Sequence, residues 1–294
     1  MYRNRWLSHL EVLTAILVWG ASFIATKIAL QEVSPLTVLG LRFALGSGLL
    51  GVVVAGQRQL TLPAPRELLH FALIGLIGVT IHQWSQAAGL VTTHASTTAW
   101  IVATTPVFMA LLGWLTLKER LGWSQGVGIV VAAAGVLLVV SNGNPRAFSD
   151  GSFGQPGDFL VLLSALAWAV FSILSRPVLQ RYSPTYLMFW VMLCGWALLL
   201  PLWLGGPGAG EIASLSARGW GAVIFLGIFC SGLAYTAWYG ALRTLEAAQV
   251  GAYLYLEPLV ATGVAALVLG EAVTWSVLLG GAAILAGVYL VNRS

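Results

Sequence analysis

The sequence predicts an all-α integral membrane protein with ten transmembrane helices arranged as a 5+5 inverted-topology repeat. Three observations carry that expectation. The chain is 59% hydrophobic and only 8% charged over 294 residues, with a mean hydropathy of +0.89. Ordinary soluble domains carry about 25% charged residues, so lipid must be the solvent for most of this surface. The apolar sequence is broken at regular intervals by Pro, Gly and charged residues. Finally, residues 94–139 match residues 246–291 without gaps.

A helix needs roughly 20 residues, at about 1.5 Å each, to cross the hydrocarbon layer. Cutting at the breaks gives spans at 10–30, 36–56, 68–89, 94–116, 123–141, 157–176, 184–204, 218–240, 246–269 and 274–292. Arg3 and Arg5 precede the first, as in a signal peptide. That run nevertheless continues past Leu30 without a small-x-small cleavage site, and reads as a retained span. The longest connection, SNGNPRAFSDGSFGQPGD at 141–158, is rich in turn formers. It separates a first repeat, 1–141, from a second, 157–294, by an external linker, 142–156.

Basic residues set the orientation. With a cytoplasmic N-terminus, Arg3, Arg5, Arg58, Arg66, Lys118, Arg120, Arg176, Arg181, Arg243 and Arg293 fall inside, and Arg146 and Arg218 outside. Both termini are therefore expected in the cytoplasm, with the chain in the cell (inner) membrane. The net charge of +4 comes from scattered residues and forms no nucleic-acid patch. Cys194 and Cys230 lie inside apolar runs without ligand spacing and read as small buried hydrophobes.

Residues 94–139 align on 246–291, placing Pro106 on Pro258, Glu119 on Glu271, Trp123 on Trp275 and Ser124 on Ser276. Gly128 and Gly135 fall on Gly280 and Gly287. Trp19 matches Trp168 at a slightly different offset. Five spans per half is an odd number, so the second half must sit upside down. The turn LKERL keeps its glutamate in LGEAV but loses Lys118 and Arg120, as an outward-facing turn should. Inverted repeats recur in transporters, with the substrate near the midplane.

The stretches PVFMALLGWLTLKERLGWSQGVGIVVAAAGVLL and EPLVATGVAALVLGEAVTWSVLLGGAAILAGVYL resemble EamA-type members of the drug/metabolite transporter superfamily. VWGASFIATKIA, followed by LRFA, matches the start of the same pattern. The Trp-rich chain and YLYLEPL are most similar to YddG-type exporters of amino acids. The resemblance implies a central cavity lined by helices 1–4 and 6–9, with helices 5 and 10 peripheral. It implies export of amino acids, including aromatic or other apolar ones, by alternating access; no cofactor is expected, and the sequence is compatible with a monomer without fixing the oligomeric state. A multidrug or other metabolite exporter of the same fold is the alternative, and an integral-membrane enzyme a more distant one. No Walker motif, H-E-x-x-H or paired membrane carboxylates are present in the sequence.

Glu257 is the leading site candidate, because an acid at the bilayer centre costs roughly 2.5–3.5 kcal/mol on insertion scales. Pro258 should free the carbonyl of Leu254 and kink the helix, with Pro106 its counterpart in the first half. His82 offers a titratable imidazole, with Gln86 one turn on, or a histidine satisfied by one hydrogen bond. Trp19, Trp100, Trp168, Tyr235, Trp238, Tyr239 and Tyr253 lie within spans and suit the flat walls of a cavity as well as a core. Arg42 is expected to snorkel roughly 10 Å outward rather than meet a substrate carboxylate. Lys27 is read as an outer-face charge near Glu32, and Glu119 and Glu271 as helix-start and turn residues. Gly128, Ala132 and Gly135 form a small-residue stripe for close packing.

Overall fold

The computed structural model describes residues 5–117, 122–147, 149, 153–206, 208–241, 244, 245 and 247–292. Ten helices among them are long and apolar enough to cross a bilayer. They are α1 (Arg5–Ala29), α2 (Pro35–Gly56), α3 (Pro65–Leu90), α4 (Ala95–Thr116) and α5 (Trp123–Val140). The second half supplies α6 (Pro156–Leu179), α7 (Pro184–Leu204), α8 (Ala217–Trp238), α9 (Gln249–Leu269) and α10 (Trp275–Asn292). The breaks predicted from sequence fall close to these bounds, with two informative exceptions. Helix α1 starts five residues before the expected position, extending through Trp6. Helix α6 runs past Pro177, which removes one N–H from the hydrogen-bond ladder close to the helix's end.

Prolines open α2, α3, α6 and α7, where their missing N–H is not needed. Leu69, Val52 and Leu267 are 73%, 69% and 88% exposed, as side chains facing lipid should be. Trp6, Trp123 and Trp275 stand exposed near helix ends, where amphipathic rings suit the headgroup layer.

Helices α5 and α10 meet backbone to backbone. A Cβ on Gly128 would lie 2.6 Å from the Gly287 carbonyl oxygen, and one on Gly135 2.6 Å from that of Gly280. The small-residue stripe is therefore a packing surface. Elsewhere α2 packs on α7 and α4 on α9. Helix α1 packs on α8 and α9, while α6 packs on α3 and α4; α2 meets α8, while α7 meets α3. Exchanging helices 1–5 with 6–10 maps each of these contacts onto itself or onto another.

The local irregularities exchange in the same way. Helix α3 contains a π-helical segment, Leu76–Ile81, and α8 contains Phe225–Leu233. Helix α4 breaks at 103–104, just before Thr105 and Pro106. Helix α9 tightens to a 3-10 turn over Tyr253–Leu256, just before Glu257 and Pro258. Each proline thus takes the second position of a resumed helix. The irregularity precedes it.

The linker end of the bundle is tied by carboxylates that cap neighbouring helices. Glu211 accepts from the backbone N–H and hydroxyl of Ser34 at 2.8 and 2.7 Å, and from Thr37 at 2.6 Å. Glu32 accepts from Ser216 N–H and Oγ, both at 2.7 Å, at the start of α8. Asp158 accepts from Thr93 at 2.8 Å. Glu271 differs from its expected role at its own helix start. It caps α4 instead, accepting from the N–H groups of Ala95 and Ser96 at 2.8 and 3.1 Å and from Ser96 Oγ at 2.7 Å. Lys27 sits 3.9 Å from Glu271 and donates to the Thr93 carbonyl. Glu119, with Lys118, Arg120, Arg3, Arg243 and Arg293, lies outside the described residues. At the opposite end, His9 is 2.9 Å from the Tyr253 hydroxyl, and Asn292 donates to that of Tyr255 at 2.7 Å. The start of α1 and the end of α10 are therefore both tied to α9 at this end of the bundle.

Burial pushes the Glu271 carboxyl up, but hydrogen bonds from His94, Ser96 and Ala95 outweigh it and hold it at about 2. A depressed carboxylate contributes stability above its unfolded value near 4.3 and loses it as pH falls toward the folded value. His94 is raised by its hydrogen bond to Glu271, so its share is full below about 6.5 and fades as pH rises through the elevated value. Glu271→Gln should lower stability at pH 7 by on the order of 1 kcal/mol, as loss of a cap does. Thermal unfolding in detergent should show wild type losing its advantage between about pH 4 and pH 2.

Candidate functional site

Seven residues into α2, Arg42 is not the snorkelling side chain the sequence suggested. It is 6% exposed. Its Nε donates to Ser231 Oγ and its Nη1 to Gln83 Oε1, both at 2.9 Å, and its guanidinium carbon lies 5.4 Å from the Phe43 ring centre. Close helix contact makes this possible. A Cβ on Gly46 would fall 2.6 Å from Ser231 Cβ, and one on Gly227 2.6 Å from Leu45 Cβ. Helix α8 can therefore bring a hydroxyl to a guanidinium that would otherwise reach for water. The partners are neutral, so the charge is oriented and not cancelled.

Helix α3 supplies the facing surface. Its π segment ends at Ile81, and His82, Gln83 and Gln86 follow, each at least nine-tenths buried. His82 Nδ1 is 2.9 Å from the Ser164 carbonyl oxygen on α6. A carbonyl can only accept, so Nδ1 carries the proton and Nε2 presents a lone pair. The imidazole sits 4.9 Å from Trp168, which sits 4.8 Å from Phe171.

A second aromatic group lies between α1 and α8. Trp19 donates from Nε1 to the Cys230 carbonyl at 3.0 Å, with ring centres 5.2 Å from Tyr235 and 5.3 Å from Trp238. Trp19 and Trp168, paired in the internal match, thus meet aromatic rings on α8 and α3, themselves counterpart helices. Arg42 joins the two groups, since Tyr235, Cys230 and His82 all lie within its electrostatic range.

Glu257 begins the resumed helical part of α9. A Cβ on Gly20 would lie 3.0 Å from the Glu257 carbonyl oxygen, so α1 and α9 touch here. Glu257 is half-buried as a residue, and no hydrogen bond or ion pair joins it to another described residue. Cys230 lies within range of both Glu257 and Arg42.

The remaining predicted residues divide. Tyr253 joins the apolar cluster of Trp19 and Trp238, and ties to His9. Trp100 is 3% exposed and faces α10, where a Cβ on Gly281 would fall 2.6 Å from its ring. It packs apart from the other aromatics. Pro106 borders a separate cavity of about 190 Å³ with Met109, Gly113, Gln125, Arg176 and Asn292. Pro258 is buried against the bundle. The Tyr239 side chain lies outside the described residues. Gln83 and Ser231 were not singled out from sequence; Gln83 had a signal in its place beside His82, whereas Ser231 had none.

The deciding observation concerns polar atoms. Arg42 Nη2, His82 Nε2, Gln83 Nε2 and the Gln86 amide are not hydrogen-bonded to described groups, yet they are not sealed off either. Trp100 Nε1 and Ser164 Oγ, by contrast, are sealed without partners. The first set therefore keeps some accessible surface on side chains that are otherwise buried. A buried charge costs roughly 2.5–3.5 kcal/mol on insertion scales, and such groups persist beside protein or water rather than lipid. Among the described residues no group of three or more His, Cys, Asp and Glu side chains could hold a metal ion. What the arrangement offers is hydrogen bonds, a guanidinium, a carboxyl group and flat aromatic rings.

Trp19→Phe should cost about 1 kcal/mol more stability than Trp100→Phe, because only the first indole loses a hydrogen bond. Both substitutions remove the same volume, so denaturant unfolding in detergent isolates the difference. Equal losses would show that the Trp19–Cys230 bond contributes nothing.

With this geometry in place, comparison with known proteins is informative. A family profile described as the EamA-like transporter family matches residues 6–141 and again 155–293. An uncharacterized transporter of Archaeoglobus fulgidus is 32% identical over 97% of this chain and 97% of its own length. A protein of Streptantibioticus cattleyicolor, named a probable terminal-alkyne amino-acid exporter, is 31% identical over 96% of this chain and 92% of its own. A solved crystal structure, 22% identical, superposes with a TM-score of 0.66 over 97% of this chain and 98% of that one, a likeness of fold alone. The chain is a multi-pass membrane protein and belongs to the EamA-like transporter family.

Proposed function

We propose that this transporter exports small metabolites, amino acids foremost, from the cytoplasm by alternating access between two oppositely oriented five-helix halves. The observation that carries the reading is a set of nearly buried polar side chains, Arg42, His82, Gln83 and Gln86, with hydrogen-bonding atoms that no described group engages. Hydrocarbon gives such atoms nothing to bond to. A passing polar solute does.

The exchange of contacts and of helix irregularities between the halves supports the inverted arrangement, because alternating access needs two related units to rock around one site. The even number of spans and the bias of Lys and Arg favour cytoplasmic termini in the inner membrane. The amino-acid assignment draws on the Streptantibioticus relative's name and on the mixture of a guanidinium, a carboxyl group and aromatic rings in the site. Without a Walker motif in the sequence, the driving force is a solute or ion gradient.

Cells loaded with labelled L-phenylalanine should release it several-fold faster when they express the protein than with empty vector. Glu257→Gln should reduce that release about tenfold while the protein reaches the membrane in normal amount, as loss of an interaction worth about 1.4 kcal/mol would. If neither amino acids nor other small metabolites leave faster than in control cells, the reading fails.

A further inference from the structure

The cavity beside Pro106 has no part in the Arg42 group. It lies between α4, α5, α6 and α10, and its lining changes character along its length. Met109, Ala110 and Gly113 follow Pro106 along one face of the resumed helical part of α4, Thr105–Leu117, joined by Ile173 of α6 and Val291 of α10. Pro106 is near the middle of its span and Thr116 closes it, so this apolar wall reaches roughly 15 Å inward, about half the hydrocarbon layer. The other end is polar. Gln125 stands in the first turn of α5, Arg176 in the last turn of α6 and Asn292 at the end of α10. The exposed Trp123 at the start of α5 marks this level as that of the headgroups.

The polar end offers donors. Arg176 is exposed, and no hydrogen bond or ion pair joins it to another described residue. Gln125 Oε1 accepts from the Gly122 N–H at 2.8 Å, which fixes the amide's orientation and leaves its nitrogen to donate. Among the described residues no carboxylate lines the cavity. The connection LKERLG, which links α4 to α5, carries two bases against one acid.

We propose that this cavity seats an anionic phospholipid, its phosphate on Arg176 and Gln125 and one acyl chain along Met109, Ala110 and Ile173. Basic pockets between membrane helices suit acidic headgroups, and a guanidinium meets phosphate oxygens with two parallel N–H groups. A soluble anion would use the rim and leave the apolar wall bare. A zwitterionic lipid would cover the wall but bring a second cation beside Arg176. An amphiphile with a negative head matches both ends. Met109, Ala110 and Ile173 are only half-buried, so a chain lying along them covers apolar surface that the protein itself does not. Nothing in this site depends on what the bundle carries.

The test is thermal unfolding of the purified full-length protein in detergent, with phosphatidylglycerol, phosphatidylcholine of the same acyl chains, or inorganic phosphate added. Phosphatidylglycerol should raise the midpoint by about 5 °C more than phosphatidylcholine, as a ligand that binds only the folded state does. Inorganic phosphate should leave the midpoint unchanged. Arg176→Gln, at an exposed position that tolerates the change, should erase the preference, and Arg176→Lys should keep part of it. Ala110→Phe should erase it too, by filling the seat of the chain while the guanidinium stays. Arg181→Gln removes a base from the connection just beyond α6 and should leave the preference intact. Equal shifts with the two lipids overturn the assignment, as does a preference that survives Arg176→Gln. Phosphate acting as strongly as phosphatidylglycerol overturns it in favour of a soluble anion. Equal losses in Arg176→Gln and Arg181→Gln overturn it in favour of diffuse surface charge. The two arginine variants decide the matter even where Ala110→Phe does not fold.

Discussion

In hydrocarbon, a polar atom has no water to fall back on, and nearly every feature of this structure answers that constraint. Backbone groups are satisfied within helices, and the free N–H groups at helix starts are satisfied by carboxylates borrowed from neighbouring segments. Glu32, Glu211 and Glu271 each cap a helix far from their own position in the chain. Around Arg42, His82 and Gln83 several polar atoms of nearly buried side chains are left without a described partner. They differ from Trp100 Nε1 and Ser164 Oγ, which are sealed, in keeping some accessible surface.

The two π-helical segments show how the site is assembled. A π turn shifts every later side chain around the helix relative to the earlier ones. In α3 the shift ends at His82, and in α8 it includes Ser231. Two irregular helices therefore deliver polar side chains to the same guanidinium. The small residues Gly46 and Gly227 let α2 approach α8 closely enough for the bond to form. Without both devices Arg42 would have only solvent to seek.

The ten spans were legible because hydropathy is additive along the chain and breaks are marked by Pro, Gly and charge. The internal match was legible because Trp, Pro and Glu are rare enough in apolar helices to be informative. The destination of Arg42 was not, because a snorkelling arginine and a buried one begin from the same residue at the same depth. Only the helix packed opposite, with its unremarkable Ser231, decides between them. Glu271 failed for a related reason: its helix-start position suggests a local cap, whereas its actual targets on α4 are remote in sequence. Trp100 and Trp168 look alike as mid-span tryptophans. One faces a glycine of α10 and the other an imidazole, a distinction that belongs to tertiary packing.

The seam between α5 and α10 has a mechanical consequence. With glycines of both helices facing the opposite backbone, there are few interlocking side chains along that line and no room for an acyl chain to enter. Lipid cannot wedge the partners apart there, and sideways separation would expose surface that nothing else fills.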